Sequence, residues 1–275
     1  MREPAASVDN AVWRRAGVRH GKRFVPEETA VAFSYDGGTY AVMMATPQDL
    51  DDFALGFSLT EGIVTGPADI RQLDVIEFRA GTELRMWLAE PRAKALTERR
   101  RHFAGPTGCG LCGIESLEEA VRSSPRVADE ATFTPAQIMQ ALDTLSPRQE
   151  LNRQTRAVHA AAFWRPDAGL VALREDVGRH NALDKLAGAL SRGQDSVRGG
   201  MVLLTSRVSV EMVQKTAVIG APLIVAVSAP TALAIRTAEA AGITLAAIAR
   251  NDGFELFTHP QRIKDSHQDT MTNVA

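Results

Sequence analysis

Apolar and polar residues alternate over residues 29–35 and again over 39–45, with Asp36-Gly37-Gly38 between the two runs. A period of two on both sides of a Gly-Gly turn predicts a β-hairpin. The pattern then changes to a helix over residues 50–61, opened by Thr46-Pro47 and closed by Gly62. Residues 73–78 and 83–88 predict a second strand pair around Ala80-Gly81. Residues 1 to about 20 read as a loose start, with arginines at Arg14, Arg15 and Arg19.

Beyond a charged stretch at residues 98–102, helices are expected over 114–122 and 135–145, and strands over 157–165 and 170–174. Ala182, Leu183, Leu186, Ala187 and Leu190 form a helical stripe. Strands at 201–205, 223–227 and 243–248 then alternate with helices at 208–219 and 230–241, the helices ending at Gly220 and Gly242. Strands separated by helices of this length argue for a sheet covered on both faces. The expected fold class is therefore α/β. A three-layer α/β/α large domain spans residues 98–275, a smaller N-terminal α+β domain spans 21–97, and residues 1–20 form an extension.

Bulk properties narrow the function classes. The chain has 275 residues, 45% of them hydrophobic and 23% charged, which is enough for a sizeable core. A net charge of -2 gives no sign of nucleic acid or of a membrane surface as partner. The apolar run at 221–234 is too short to span a bilayer and is broken by Pro222, Ser228 and Pro230. Residues 1–10 are polar and carry acids, unlike a signal peptide, so a cytoplasmic protein is expected.

The only two cysteines sit together in Gly108-Cys109-Gly110-Leu111-Cys112-Gly113. Glycines in this density suit an exposed, adaptable loop rather than a core. A helix beginning just after Cys112 would lower the pKa of a nearby thiol, and Arg99, Arg100, Arg101 and His102 would add to that. A thiolate is the species that attacks sulfur. Tetrahedral zinc needs about two more ligands, and no second C-x-x-C accompanies this one. No intrinsic metal site is expected, although a zinc shared across a dimer stays open. A thioredoxin-like exchanger fits the C-x-x-C alone, but no strand clearly precedes it.

Other polar segments lie where strands meet helices. Arg174-Glu175-Asp176-Val177-Gly178-Arg179-His180-Asn181 reads equally well as a capped helix start and as a site where arginines hold phosphate and His180 handles a proton. Thr205-Ser206-Arg207 and Val227-Ser228-Ala229 follow apolar strands, at the usual ligand crevice of an α/β sheet. Backbone amides there can hold anions, with Ser206 and Ser228 as ordinary caps the plainer reading. Arg250-Asn251-Asp252-Gly253 is either a turn or a phosphate or base contact.

Taken in order, Glu61-Gly62-Ile63, the cysteine loop through Ser116, the run from Arg174 to Lys185, the run from Ser206 to Lys215, Val227 to Thr231 and the tail at Arg250 form a specific series. The chain resembles the FdhD family of formate dehydrogenase accessory sulfurtransferases from about residue 20 onward. The resemblance implies a large domain like cytidine deaminase. It implies a protein that takes persulfide sulfur from a cysteine desulfurase and passes it to Mo-bis(molybdopterin guanine dinucleotide), a bound substrate, for formate dehydrogenase. The persulfide residue then matches Cys109, with Cys112 as the motif's second cysteine. The cofactor-binding stretch matches Ile248, Ala249, Arg250, Asn251, Asp252 and Gly253, and Ser206, Arg207 and Ser228 are expected to join it. A homodimer is compatible with the family. The H-x-E of zinc deaminases is missing, so neither zinc nor deamination is expected. Two rivals remain: a non-enzymatic cofactor chaperone for the dehydrogenase, and a dithiol–disulfide oxidoreductase.

Overall fold

A computed structural model of the chain describes residues 2–102, 124–193 and 196–264. The cysteine motif and the helix expected at 114–122 lie outside these residues. The described chain begins with β1 (Ala5–Arg14) and β2 (Gly17–Pro26), paired in an antiparallel ribbon. A loose start was expected there. Both faces of the ribbon are largely exposed, Trp13 to 80%, so no buried stripe betrays it in the sequence.

The small domain follows the predicted pattern closely. Strands β3 (Thr29–Tyr35), β4 (Gly38–Ala45), β5 (Ile70–Phe78) and β6 (Gly81–Leu88) form a sheet ordered β4-β3-β6-β5. Helix α1 (Leu50–Thr60) packs on it, with Phe33 stacked on Phe57 at 4.1 Å and edge-on to Phe53 at 4.9 Å. Its first turn starts from Asp49 in a left-handed conformation rather than from a side-chain cap. A helix missed by the pattern, α2 (Glu90–His102), includes the charged stretch at 98–102.

In the large domain six strands are ordered β12-β11-β10-β9-β7-β8. They are β7 (His159–Arg165), β8 (Gly169–Asp176), β9 (Met201–Leu204), β10 (Leu223–Ala226), β11 (Thr244–Arg250) and β12 (Gly253–Thr258). The three central strands β9, β10 and β11 run parallel, and the outer strands pair antiparallel. Successive side chains on a strand point to opposite faces. Val202, Leu204, Ile224, Ala226, Leu245 and Ala247 accordingly face α6 (Arg179–Gly193), α7 (Val210–Ile219) and α8 (Ala232–Ala241). Met201, Leu203, Leu223, Val225 and Ala246 face Phe133, α3 (Pro135–Asp143) and α4 (Leu145–Arg148). A short α5 (Glu150–Thr155) follows. The sheet is thus sandwiched between helices, the expected three-layer α/β/α arrangement.

The two domains meet where α1 crosses α6. A Cβ on Gly56 would stand 1.7 Å from Asp184 O, and one on Gly188 would stand 1.9 Å from Asp52 O. Only glycine permits backbones this close. Around the crossing lie buried charges. Lys185 and Asp176, both fully buried, pair at 2.6 Å, and both bind Thr46 of the small domain. Asp184 takes a 2.6 Å hydrogen bond from Thr60 and pairs with Lys215 at 2.7 Å. Arg174 and Arg192 hold Asp52 at 2.6 and 3.0 Å.

Candidate functional site

At the carboxyl ends of β9, β10 and β11 three loops lie side by side, as expected of an open parallel sheet. Backbone hydrogen bonds hold them in register. Val208 N donates to Ala229 O at 3.2 Å, Thr231 N to Val208 O at 2.9 Å, and Ile248 N to Ser228 O at 3.2 Å. Ile248 takes φ 53 where a register shift interrupts the β11–β12 pairing. Beyond it Arg250 pairs with Gly253 across a turn that exposes Asn251 and Asp252.

The rim therefore gathers Ser206, Arg207, Ser228 and residues 248–253, which are far apart in sequence. Arg207 and Arg250 are exposed and can meet an anion. Ala249 differs: its side chain is 1% exposed and packed in the core, so only its backbone is available. Ser206 and Ser228 do not cap the helices. Ser209 occupies the N-cap position of α7, and Thr231 caps α8, accepting from Ala234 N. Each loop runs three residues longer than its first serine suggests, leaving Ser206 and Ser228 in the loop itself.

The dense polar run before α6 divides in two. Most of it is structural. Arg174 is committed to Asp52, Glu175 accepts Leu151 N and Asn152 N at the start of α5, and Asn181 reaches Met44 O and Asp176 at 2.8 and 2.9 Å. Arg174 is therefore not a phosphate ligand, contrary to one reading of the sequence. Burial pushes the Glu175 carboxyl up, opposed by those two amides. Arg179 and His180 take no part in these bonds and belong to the rim.

His180 Nε2 stands 3.8 Å from Glu211 Oε2 in the first turn of α7. The imidazole is the main reason the Glu211 carboxyl is held down at about 2. Burial works the other way, and the nearby Ser209 hydroxyl and Glu211's own amide assist the imidazole. His159 lies close by and is pushed down from 6.5, chiefly by burial, then by Arg179, with His180 adding to it and Asp176 opposing. Sequence reasoning passed over His159, Ser209 and Glu211 as site residues. A serine two positions before a glutamate at a helix start looks like capping, and nothing in the sequence reveals that they face His180.

A separate cavity of about 440 Å³ runs along the outer edge of β8, bordered by Gln48, Asp49 and Arg148, and shares no residue with the rim. Among the described residues no helix is long and apolar enough to cross a membrane. Cys109 and Cys112 lie outside the described residues, so their placement relative to the rim is not part of this geometry.

The profile of the FdhD/NarQ family matches residues 26–264, through both domains and the whole rim. The chain belongs to the FdhD/NarQ family. Among its relatives, the sulfur carrier protein FdhD of Agrobacterium fabrum is 56% identical over 244 residues, 88% of this chain and 90% of the relative. That of Brucella abortus is 52% identical over 260 residues, 94% and 97% of the two chains. A crystal structure of a candidate formate dehydrogenase accessory protein from Desulfotalea psychrophila superposes with a TM-score of 0.76 at 25% identity, covering 95% of this chain and all of that one.

Proposed function

We propose that this member of the family is a sulfur carrier that serves the maturation of formate dehydrogenase. Cys109 accepts sulfane sulfur from a cysteine desulfurase, forming a persulfide and leaving the desulfurase cysteine as a thiolate. The sulfur then passes to the metal of Mo-bis(molybdopterin guanine dinucleotide), which the large domain holds as substrate. The observation that supports this reading best is a relative named a sulfur carrier at 56% identity, matched over almost its full length. The rim supports the cofactor part. Its exposed Arg207 and Arg250 suit the phosphates of a dinucleotide. Cys112 either takes over the sulfur or attacks the Cys109 persulfide, releasing sulfide and leaving a disulfide.

Mass spectrometry of the chain after incubation with desulfurase and cysteine tests the carrier role. One added sulfur is expected on the peptide containing Cys109, and none in Cys109→Ala. A peptide that stays unmodified, together with a fully active Cys109→Ala protein, would overturn it.

A further inference from the structure

The ribbon of β1 and β2 has little to hold it. Two strands alone are marginally stable in water, and no third strand joins this pair among the described residues. Ten large hydrophobic side chains are exposed among the described residues, and four of them, Val8, Trp13, Val18 and Phe24, lie on the ribbon. Cross-strand partners share a face, and faces alternate along each strand. The pairs Trp13–Val18, Ala11–His20 and Ser7–Phe24 therefore share one face, and all six residues are exposed. The opposite face is partly covered at Val12 and Val25. Apolar side chains gathered on one open face mark a surface for another molecule.

Charge selects that molecule. Residues 5–26 hold five basic side chains and one acid, a net +4 in a chain of -2 overall, which leaves the remainder at -6. Asp9, the one acid, stands 3.9 Å from Lys22 across the ribbon. Arg14, Arg15 and Arg19 surround the turn beside Trp13 and have no ion-pair partner among the described residues. Exposed tryptophan and arginine together are the side chains that carry most of the energy at protein interfaces. The surface that complements them is acidic around an apolar hollow. A second ribbon does not fit face to face, since it brings the same positive charge.

The foot of the ribbon shows which side of the molecule the partner meets. Arg23 donates to Thr155 O at 3.2 Å. Thr155 ends α5, just ahead of β7, and β7 runs antiparallel to β9 with Ala161 opposite Leu204. The start of β7 therefore lies at the carboxyl end of β9, the end that bears the rim. Ribbon foot and rim share one end of the large-domain sheet. We infer that the ribbon is a docking arm for the protein that receives the cofactor, formate dehydrogenase, which has to approach the rim; the inference rests on the function proposed above. Trp13 enters an apolar hollow on the dehydrogenase, and Arg14, Arg15 and Arg19 meet acids around it.

Biolayer interferometry of the full chain against purified, cofactor-free formate dehydrogenase tests this. Trp13→Ser should weaken binding roughly tenfold or more, the effect of truncating an interface tryptophan. Arg14→Glu with Arg15→Glu should weaken it by a similar factor and flatten its salt dependence. Both proteins should keep the melting temperature of the natural chain and take up sulfur from the desulfurase as it does. Unchanged affinity in both, with the natural chain binding, overturns the docking arm and leaves the carrier function standing. Lost sulfur uptake with dehydrogenase binding intact assigns the ribbon to the desulfurase and overturns it too. So does a dimer of the natural chain that Trp13→Ser dissolves, or binding to phosphatidylglycerol vesicles that Trp13→Ser abolishes while dehydrogenase binding persists. A natural chain that does not bind the dehydrogenase at all overturns the accessory reading itself, and the arm with it.

Discussion

Lys185 Nζ lies 2.6 Å from Asp176 Oδ2 with neither side chain exposed to solvent, and it also donates to Thr46 O at 2.9 Å. One ammonium thus ties the end of β8 to the chain that leads into α1. Removing it strands a carboxylate in the interior. Breaking a buried pair from one side typically costs about 3–5 kcal/mol. Lys185→Met should lose that much in urea denaturation. A loss below about 1 kcal/mol would mean that the pair does not hold the domains together.

The glycine crossing gives an independent check on the same seam. Gly56→Ala and Gly188→Ala place a methyl group against backbone that cannot move aside. Each should cost at least about 1–3 kcal/mol, the usual range for overpacking. Gly66 has open space at its Cβ position and extended backbone, so Gly66→Ala should stay within about 0.5 kcal/mol. Equal effects at all three positions would refute the close approach.

Glu211 predicts a specific acid response. Its folded pKa of about 2 lies below the ordinary 4.5, so the stability it contributes is complete above about pH 4.5. That stability is lost as pH falls from 4.5 toward 2. The stability gap between the natural chain and Glu211→Gln should therefore narrow steadily over that window. A gap that does not change with pH would show that His180 does not hold this carboxylate.

His159 behaves in the opposite chemical sense. Its pKa is pushed below 6.5, so near that pH the unfolded chain binds the proton more readily than the folded one. Folding stability should decline as pH falls below 6.5, until the folded imidazole is protonated too. Proton NMR of its ring should show a titration midpoint under 6.5. A midpoint at or above that value would contradict its burial beside Arg179.

Much of this architecture was legible because local patterns and tertiary fate agree. The hairpin around Asp36-Gly37-Gly38, the helix closed by Gly62 and the alternation from Met201 onward each carry their own period and stop signals. The ribbon of β1 and β2 was missed because it buries too little to show alternation. Helix α2 was missed because, among its described side chains, Leu96 is the only buried one, too little to show a helical stripe. The run from Arg174 to Lys185 was the harder case. Its charges look like a ligand site until their partners Thr46, Asp52 and Thr60 come from more than a hundred residues upstream. The rim could be placed by the rule for parallel sheets. Its corner at His180 and Glu211 could not, since it depends on how two helix starts face each other.

The α1–α6 crossing has a mechanical consequence. With backbone in contact at two glycines and ionic pins on either side, the seam is a weld rather than a hinge. The two domains should tumble and respond to load as one solid piece. A ligand bound at the rim would then be presented from a fixed platform, and whatever approaches it would have to meet that geometry.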